Sequence, residues 1–449
     1  MASFLNKNSQ WLTIIFLLLS LIGYIILGYH VERSDFFSLI TIYSFIFLAY
    51  LLLYHLNFDN KHINLLLGGA ILFRLALLFM LPNFSDDYFR FIWDGRLLNN
   101  GLNPFTILPS TFIESNVVQL QSVNQGNLFK HLNSPDYFTL YPPISQFVYY
   151  IGAKLSPDNV KGSVIIMRLF ILIADIGNII LLSKLLKYFR VNTKNIILYA
   201  LNPLIILELT GNLHFEGIML FFLLLAVYLF IKGFWDYAAI AFSFSIATKL
   251  IPLMFLPFLW KRLLKKQLVL VYLIIGLSLY VFFAVFIDAS FINNISSSLD
   301  LYFQKFEFNA SVFYIIRWLG FLFHGHDIIQ VAGPILALLT FSSIMYLAYA
   351  EKQLGWKHFI EMVFIANAIY LLFTATVHPW YLTILIATSI FTNYRFVILW
   401  SLMIMLSYAT YQTNNYIENL YLVGFEYIVV SGYLIYEVFV LKRLQAISK

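Results

Sequence analysis

Runs of about twenty apolar residues recur along this chain from end to end, separated by short polar breaks. At about 1.5 Å per residue, such a run crosses a hydrocarbon core roughly 30 Å thick as an α-helix. The ten-residue alternation of a membrane β-strand is absent, so helices must satisfy the backbone. The runs fall near 11–28, 36–55, 63–82, 144–155, 163–186, 196–212, 214–232, 237–259, 268–288, 327–350, 358–377, 380–391, 396–412 and 424–441, with 312–323 reading as re-entrant. This pattern predicts an all-α integral membrane protein of 13–15 transmembrane helices, folded as a single domain over 1–449. Two polar stretches are too long to be simple connectors. One, 83–143, follows the third helix; the other is 289–326.

Composition supports this reading: 61% of the residues are hydrophobic and 11% charged, too few polar groups to clothe a soluble fold. The first run has only Lys7 as a charged flank and no convincing cleavage site, so it reads as a retained helix rather than a signal peptide. The densest cations, Lys261, Arg262, Lys265 and Lys266 with Lys442, Arg443 and Lys449, are expected on the cytoplasmic side. Both termini are then cytoplasmic, and 83–143 and 289–326 lie outside. Lys187, Arg190 and Lys194 fall outside by the same count, against the charge rule, which leaves the pairing of 144–155 with 163–186 open. The net charge of +6 is accounted for by these anchors; no basic, aromatic-lined groove points to nucleic acid. The absence of cysteine excludes disulfides, thiolate metal sites and a cysteine nucleophile. No glycine-rich phosphate loop is present.

Chemistry concentrates where the chain leaves the third helix, in FSDDYFRFIWDGR. Asp86 and Asp87 are adjacent carboxylates, and like-charge repulsion can bring one of them closer to neutrality as a general base. Adjacent helical positions diverge by about 100°, so one of the two should face a site; Asp86 is slightly favoured. The alternative is that Ser85 and Asp86 only cap the helix. Arg90 and Asp94 are spaced to pair on one helix face with Asp87, either as an ion-paired surface helix or in contact with substrate. Trp93 and Tyr88 are placed at the membrane interface, and Arg96 is a phosphate-binding candidate. Asn103-Pro104 and Tyr141-Pro142-Pro143 are turn and helix-entry signals, with Tyr141 also a candidate for lining the acceptor site.

A second cluster, Asn212, His214 and Glu216 in GNLHFEG, lies between two apolar runs, where Gly211 and Gly217 permit a helix break. It reads either as a site for a lipid phosphate or as helix-packing polarity. Glu208 and Asp175 read as interhelical partners. Lys249 can neutralise a phosphate or pair with an acid. A third cluster, His378, Trp380 and Tyr381, falls on the same side as Asp86 and can contact sugar or phosphate. His324 and His326 with Asp327 have metal-ligand types, but a lone HxH reads better as a polar turn.

The segments SDDYFRFIWDGRLLNNGLNPF, YPPISQF, NPLIILELTGNLHFEGIMLFFLLLA, ATKLIPLMFLPFLWKR and VHPWYL, in order over about 83–390, resemble the multi-spanning glycosyltransferase C superfamily. Within it, they resemble bacterial mannosyltransferase-like proteins that use polyprenyl-phosphate sugars. The resemblance implies an inner-membrane enzyme whose first large outer loop, 83–143, packs as short amphipathic helices against the membrane and carries a catalytic carboxylate. The implied donor is a polyprenyl-phosphate sugar, and the acceptor a hydroxyl on a glycan, lipid or protein. No cofactor is expected, although a divalent metal at Asp86 and Asp87 stays open. A polytopic transporter or flippase is the competing class, but no internal repeat supports it. A membrane acyltransferase ranks lower, since its acids would face the cytoplasm.

Overall fold

The computed structural model describes residues 9–55, 60–115, 119–413 and 416–447; Lys7 and Lys449, two of the flanking cations, lie outside them. Among the described residues, the α-helices of eight residues or more are α1 (Ser9–Tyr29), α2 (Phe36–His55), α3 (Asn60–Ala76), α4 (Asp87–Asn99), α5 (Pro143–Leu155), α6 (Val160–Tyr188), α7 (Glu216–Ile231) and α8 (Trp235–Thr248). They continue with α9 (Lys265–Ala284), α10 (Phe291–Lys305), α11 (Val312–His324), α12 (Ile329–Ala350), α13 (Trp356–Phe373), α14 (Phe396–Met403) and α15 (Leu420–Ile447). The protein is an all-α integral membrane protein.

Among the described residues, seven helices (α1, α2, α6, α9, α12, α13 and α15) are long and apolar enough to cross a bilayer. The segment Pro203–Gly211, joined to α7 through a bend of 111°, adds an eighth if the bent pair is a single span rather than a re-entrant loop. This is fewer than the 13–15 expected. The other apolar runs form shorter helices: α5 has 13 residues, α8 has 14, nine of them buried, and all seven residues of the helix Thr383–Ser389 are buried. Hydropathy cannot separate a helix that is apolar because protein covers it from one that is apolar because lipid does.

Contacts sort the connections to two ends of the molecule. At one end Arg33, in the α1–α2 turn, pairs with Asp86. At the other, Lys194 Nζ lies 5.2 Å from the ring of Tyr54, in the last turn of α2, and Lys184 and Lys232 each lie 5.6 Å from the ring of Tyr228. There too Arg262 pairs with Glu351 and Trp356 stacks on Phe230 at 4.8 Å. Lys187, Arg190 and Lys194 therefore sit opposite the carboxylates, correcting their expected placement. The reason is length: α5 rises only about 20 Å, too little to cross, so the 29-residue α6 makes that passage alone. The basic segments thus share one end.

Buried ionic groups pin the helices together. Arg74 Nε donates to Asp175 Oδ2 at 2.6 Å, and Tyr199 Oη donates to Asp175 Oδ1 at 2.5 Å. Arg168 donates to the carbonyls of Leu78, Met80, Thr210 and Gly211. It thereby meets backbone groups released where α3 ends and where the bent span breaks. The break is made by neither Gly211 nor Gly217: the left-handed residue is Leu213, at φ 67°. A non-glycine residue held there stores local strain.

Helix α4 packs on α5 through Gly95, where an added Cβ would stand 2.3 Å from the carbonyl oxygen of Tyr149. Gly95→Ala is expected to cost about 1–3 kcal/mol through overpacking, read as a lowered melting temperature in detergent. Retention of the wild-type melting temperature would show that the two helices can part.

Candidate active site

The carboxylates stand at the start of α4, and the chain there explains their different fates. Ser85 Oγ, not the Asp86 side chain, accepts from the Asp87 backbone N–H, at 3.4 Å; Asp86 makes no side-chain cap. The Asp86 carboxylate instead turns to Arg33, whose guanidinium lies 4.9 Å from the ring of Tyr411 and 5.7 Å from that of Tyr416. One residue later the side chain points elsewhere, and Asn133 Nδ2 donates to Asp87 Oδ1 at 2.7 Å. Burial raises the Asp87 pKa; the Asn133 hydrogen bond and Lys249 oppose this, while Asp86 and Glu216 add to it.

The rest of α4 is a scaffold. Arg90 Nε pairs with Asp94 Oδ1 at 2.8 Å, and its Nη1 donates to the carbonyls of Ser134 and Tyr137, each at 2.9 Å. Arg90 therefore ties the loop that carries Asn133 to the helix that carries Asp87. Gln146 Nε2 donates to Asp94 Oδ2 at 2.9 Å. Arg96 directs its Nη atoms to the carbonyls of Val123, Gln125 and Pro157, and so braces loop against helix rather than standing open to an anion. Tyr88 and Trp93 are buried, not interfacial. The cause is cover on both faces: α5 on one, and on the other short helices at Pro109–Ile113, Leu120–Val123 and Leu128–His131, with Phe112 and Phe129 each 6.0 Å from the Trp93 ring.

The bend after Gly211 brings the second cluster to the same end. His214 Nε2 lies 3.5 Å from Glu208 Oε2. Glu208 also accepts from Asn212 Nδ2 at 3.0 Å and from Tyr408 Oη at 2.7 Å. Glu216 Oε1 lies 3.1 Å from Lys249 Nζ, which stands 5.2 Å from the ring of Tyr141. Tyr141 packs edge-on against Phe91 at 5.0 Å, so it belongs to this wall. Lys249 is one-fifth exposed while Glu216 is sealed, which leaves the ammonium as the accessible partner.

The third cluster completes the wall. Trp380 is sandwiched between the imidazoles of His214, at 3.6 Å, and His378, at 4.4 Å, and Phe308 stacks on the far face of the column at 4.8 Å from His378. Both faces of Trp380 are thus taken. Tyr381 packs edge-on to His378 at 5.4 Å. Burial, with Lys249 nearby, pushes the His378 pKa down to about 3, so its imidazole is neutral at physiological pH, and its Nδ1 has no hydrogen-bond partner. Phe308 is held by a two-residue bridge, its N–H donating to Ala375 O at 3.0 Å and its carbonyl accepting from Val377 N at 2.8 Å.

Arg33, Asn133, Glu208, Tyr408 and Tyr411 were not singled out from the sequence as site residues. Arg33 was detectable in principle as a cation in the first short turn on the side of Asp86. The tyrosines lie in an apolar run that carries no such mark. Among the described residues, no three His, Asp or Glu side chains stand together as ligands for an ion. His324 and His326 flank Gly325, which is left-handed at φ 75°, and His326 Nδ1 faces the His324 carbonyl at 3.0 Å: a helix-ending turn.

A membrane-embedded helical body with acids, cations and stacked rings gathered at one end is the frame of a membrane glycosyltransferase. The chain belongs to the MptA_B family, described as alpha-(1->6)-mannopyranosyltransferase, N-terminal domain, whose model matches residues 11–264. No curated relative matches it.

Proposed function

We propose that this glycosyltransferase moves a mannosyl group, or another hexosyl group, from a polyprenyl-phosphate donor to an acceptor hydroxyl with inversion at the anomeric carbon, and that Asp87 is the base. The observation that carries the choice is the division between the two acids. Asp86 is engaged by Arg33, while Asp87 is partly buried, kept less acidic by that burial, and oriented through one oxygen by Asn133. Asp86 is slightly favoured from the residues alone; the position of Arg33 favours Asp87.

In this mechanism the acceptor O–H gives its proton to Asp87 Oδ2 as its oxygen bonds to the anomeric carbon. The carbon–oxygen bond to phosphate breaks, and its electron pair leaves with the phosphate. Lys249 and Arg33 meet that charge, and the neutral imidazole of His378 offers a hydrogen bond to sugar or phosphate. Polyprenyl phosphate and the glycosylated acceptor are the products. The positive charges at the opposite end support a cytoplasmic placement of that end and an extracytoplasmic one of this end, in a bacterial inner membrane as the family resemblance implies. With Arg33 already supplying a cation to Asp86, the reaction is expected to persist in a chelator.

The test is consumption of radiolabelled polyprenyl-phosphate sugars by purified protein, with and without EDTA, across glycan and lipid acceptors. Turnover of one donor supports the reading; no turnover by folded protein overturns it. The pH profile adds a signed prediction. A base works deprotonated, so activity is lost as pH falls through its pKa. Asn133→Ala removes a contact that lowers the Asp87 pKa and should move the acid limb of kcat/KM to higher pH. Asp86→Asn removes a charge that raises it and should move the limb to lower pH. A limb that stays fixed in both variants would mean that Asp87 is not the titrating group.

A further inference from the structure

At the basic end, away from the carboxylates, a groove of about 950 Å³ opens between the 3-10 segment Ile251–Leu259, α9 and α12. It is lined by apolar side chains including Leu253, Leu256, Trp260, Leu279 and Met345. Along α9 the lining runs from Leu268 to Leu279, a rise of about 16 Å, close to half of a hydrocarbon core roughly 30 Å thick. The groove therefore has the depth of one leaflet, and it begins in the first turns of α9 and the last turns of α12, beside the cations.

Among the described residues, four lysines there have no acidic partner. Lys261 Nζ sits between two rings of the groove mouth, 5.5 Å from Trp260 and 5.4 Å from Tyr349, and donates to the carbonyls of Tyr349 and Glu351. Lys265, Lys266 and Lys352 are exposed. Among the described residues none of these four lysines forms an ion pair, because the nearby carboxylate of Glu351 is engaged by Arg262.

We propose that this groove is a binding site for an anionic phospholipid, with one acyl chain between α9 and α12 and the phosphate among Lys261, Lys265 and Lys266. Length and charge select this occupant. A zwitterionic lipid would leave the lysines without a net counter-charge. The donor, under the reading above, presents its phosphate at the opposite end beside Lys249, and its chain exceeds one leaflet.

Native mass spectrometry on protein equilibrated in detergent with equimolar phosphatidylglycerol and phosphatidylcholine tests the site. Phosphatidylglycerol should be retained in preference by roughly tenfold, the order that one or two lysines beside an anionic lipid contribute. The triple variant Lys261→Gln, Lys265→Gln, Lys266→Gln should bring the preference near unity. Gly276→Phe, at a groove position where an added Cβ meets nothing within 4 Å, should lose the retained lipid with every lysine intact. Equal retention of the two lipids by wild type, or undiminished phosphatidylglycerol on a folded Gly276→Phe protein, overturns the proposal. So does displacement of the lipid by an added isoprenyl phosphate, which would assign the groove to the donor.

Discussion

Asp87→Asn is expected to lower donor turnover by roughly two to four orders of magnitude, the usual loss when a general base is removed, with little change in melting temperature. The substitution keeps the shape of the side chain and an oxygen able to accept from Asn133, which now donates at 2.7 Å. It removes only the ability to take a proton. Asp86→Asn should be milder. The Asp86–Arg33 pair is partly exposed, so water screens much of what is lost, and the freed guanidinium stays near the reacting charges. Parallel kcat measurements on the two variants at matched thermal stability decide the assignment. An inactive Asp86→Asn beside an active Asp87→Asn would transfer the role of base to Asp86, and two active variants would end the carboxylate mechanism.

Asp175→Ala should be the most damaging substitution to the fold, at about 3–5 kcal/mol. Asp175 is fully buried and accepts from both Arg74 and Tyr199, drawing α3 and the segment before the bent span onto α6. Removing the carboxylate leaves the Arg74 guanidinium without a counter-charge inside the protein, and that uncompensated charge, more than the lost hydrogen bonds, sets the size of the effect. A large fall in melting temperature in detergent is the expected readout. Arg74→Met combined with Asp175→Ala should recover part of it, since neither charge then remains. A single variant that melts like wild type would show that the pair is neutral or hydrated.

What could be read from the residues alone follows from which forces leave a linear trace. Hydropathy located the long spans because lipid demands an unbroken apolar run, as in α9 and α12. It also counted shorter helices such as α8, most of whose residues are buried against other helices. The acids at 86 and 87, the GNLHFEG cluster and the segment from His378 to Tyr381 stood out as polar groups where polarity is costly, and the fold brings all three to one end. Their partners did not stand out. That Arg33 would take Asp86 and Asn133 would take Asp87 depends on loops meeting across dozens of residues, and spacing along α4 cannot supply that. Arg96 has the same character on paper as a phosphate ligand, and only the three carbonyls around it reveal a brace. The glycines flanking the bend suggested the wrong pivot, because burial of Leu213 can hold a left-handed residue that no propensity would select.

The small bridge between Phe308 and Thr376 ties together two segments that both lie beyond residue 264, and so bears on how the enzyme can be divided. The segment matched by the family model ends at 264 and carries Arg33, both acids, Glu208, His214 and Lys249. Trp380, His378, Phe308, Tyr408 and Tyr411, which close over those groups, all come from beyond it. A fragment stopping at 264 would hold the proposed base, Asp87, but lack the Trp380 and His378 rings that stack on His214. If the proposed site is the catalytic one, competence belongs to the seam between early and late parts of the chain, and a cut in the 264–306 region should yield two pieces that work only when reassembled.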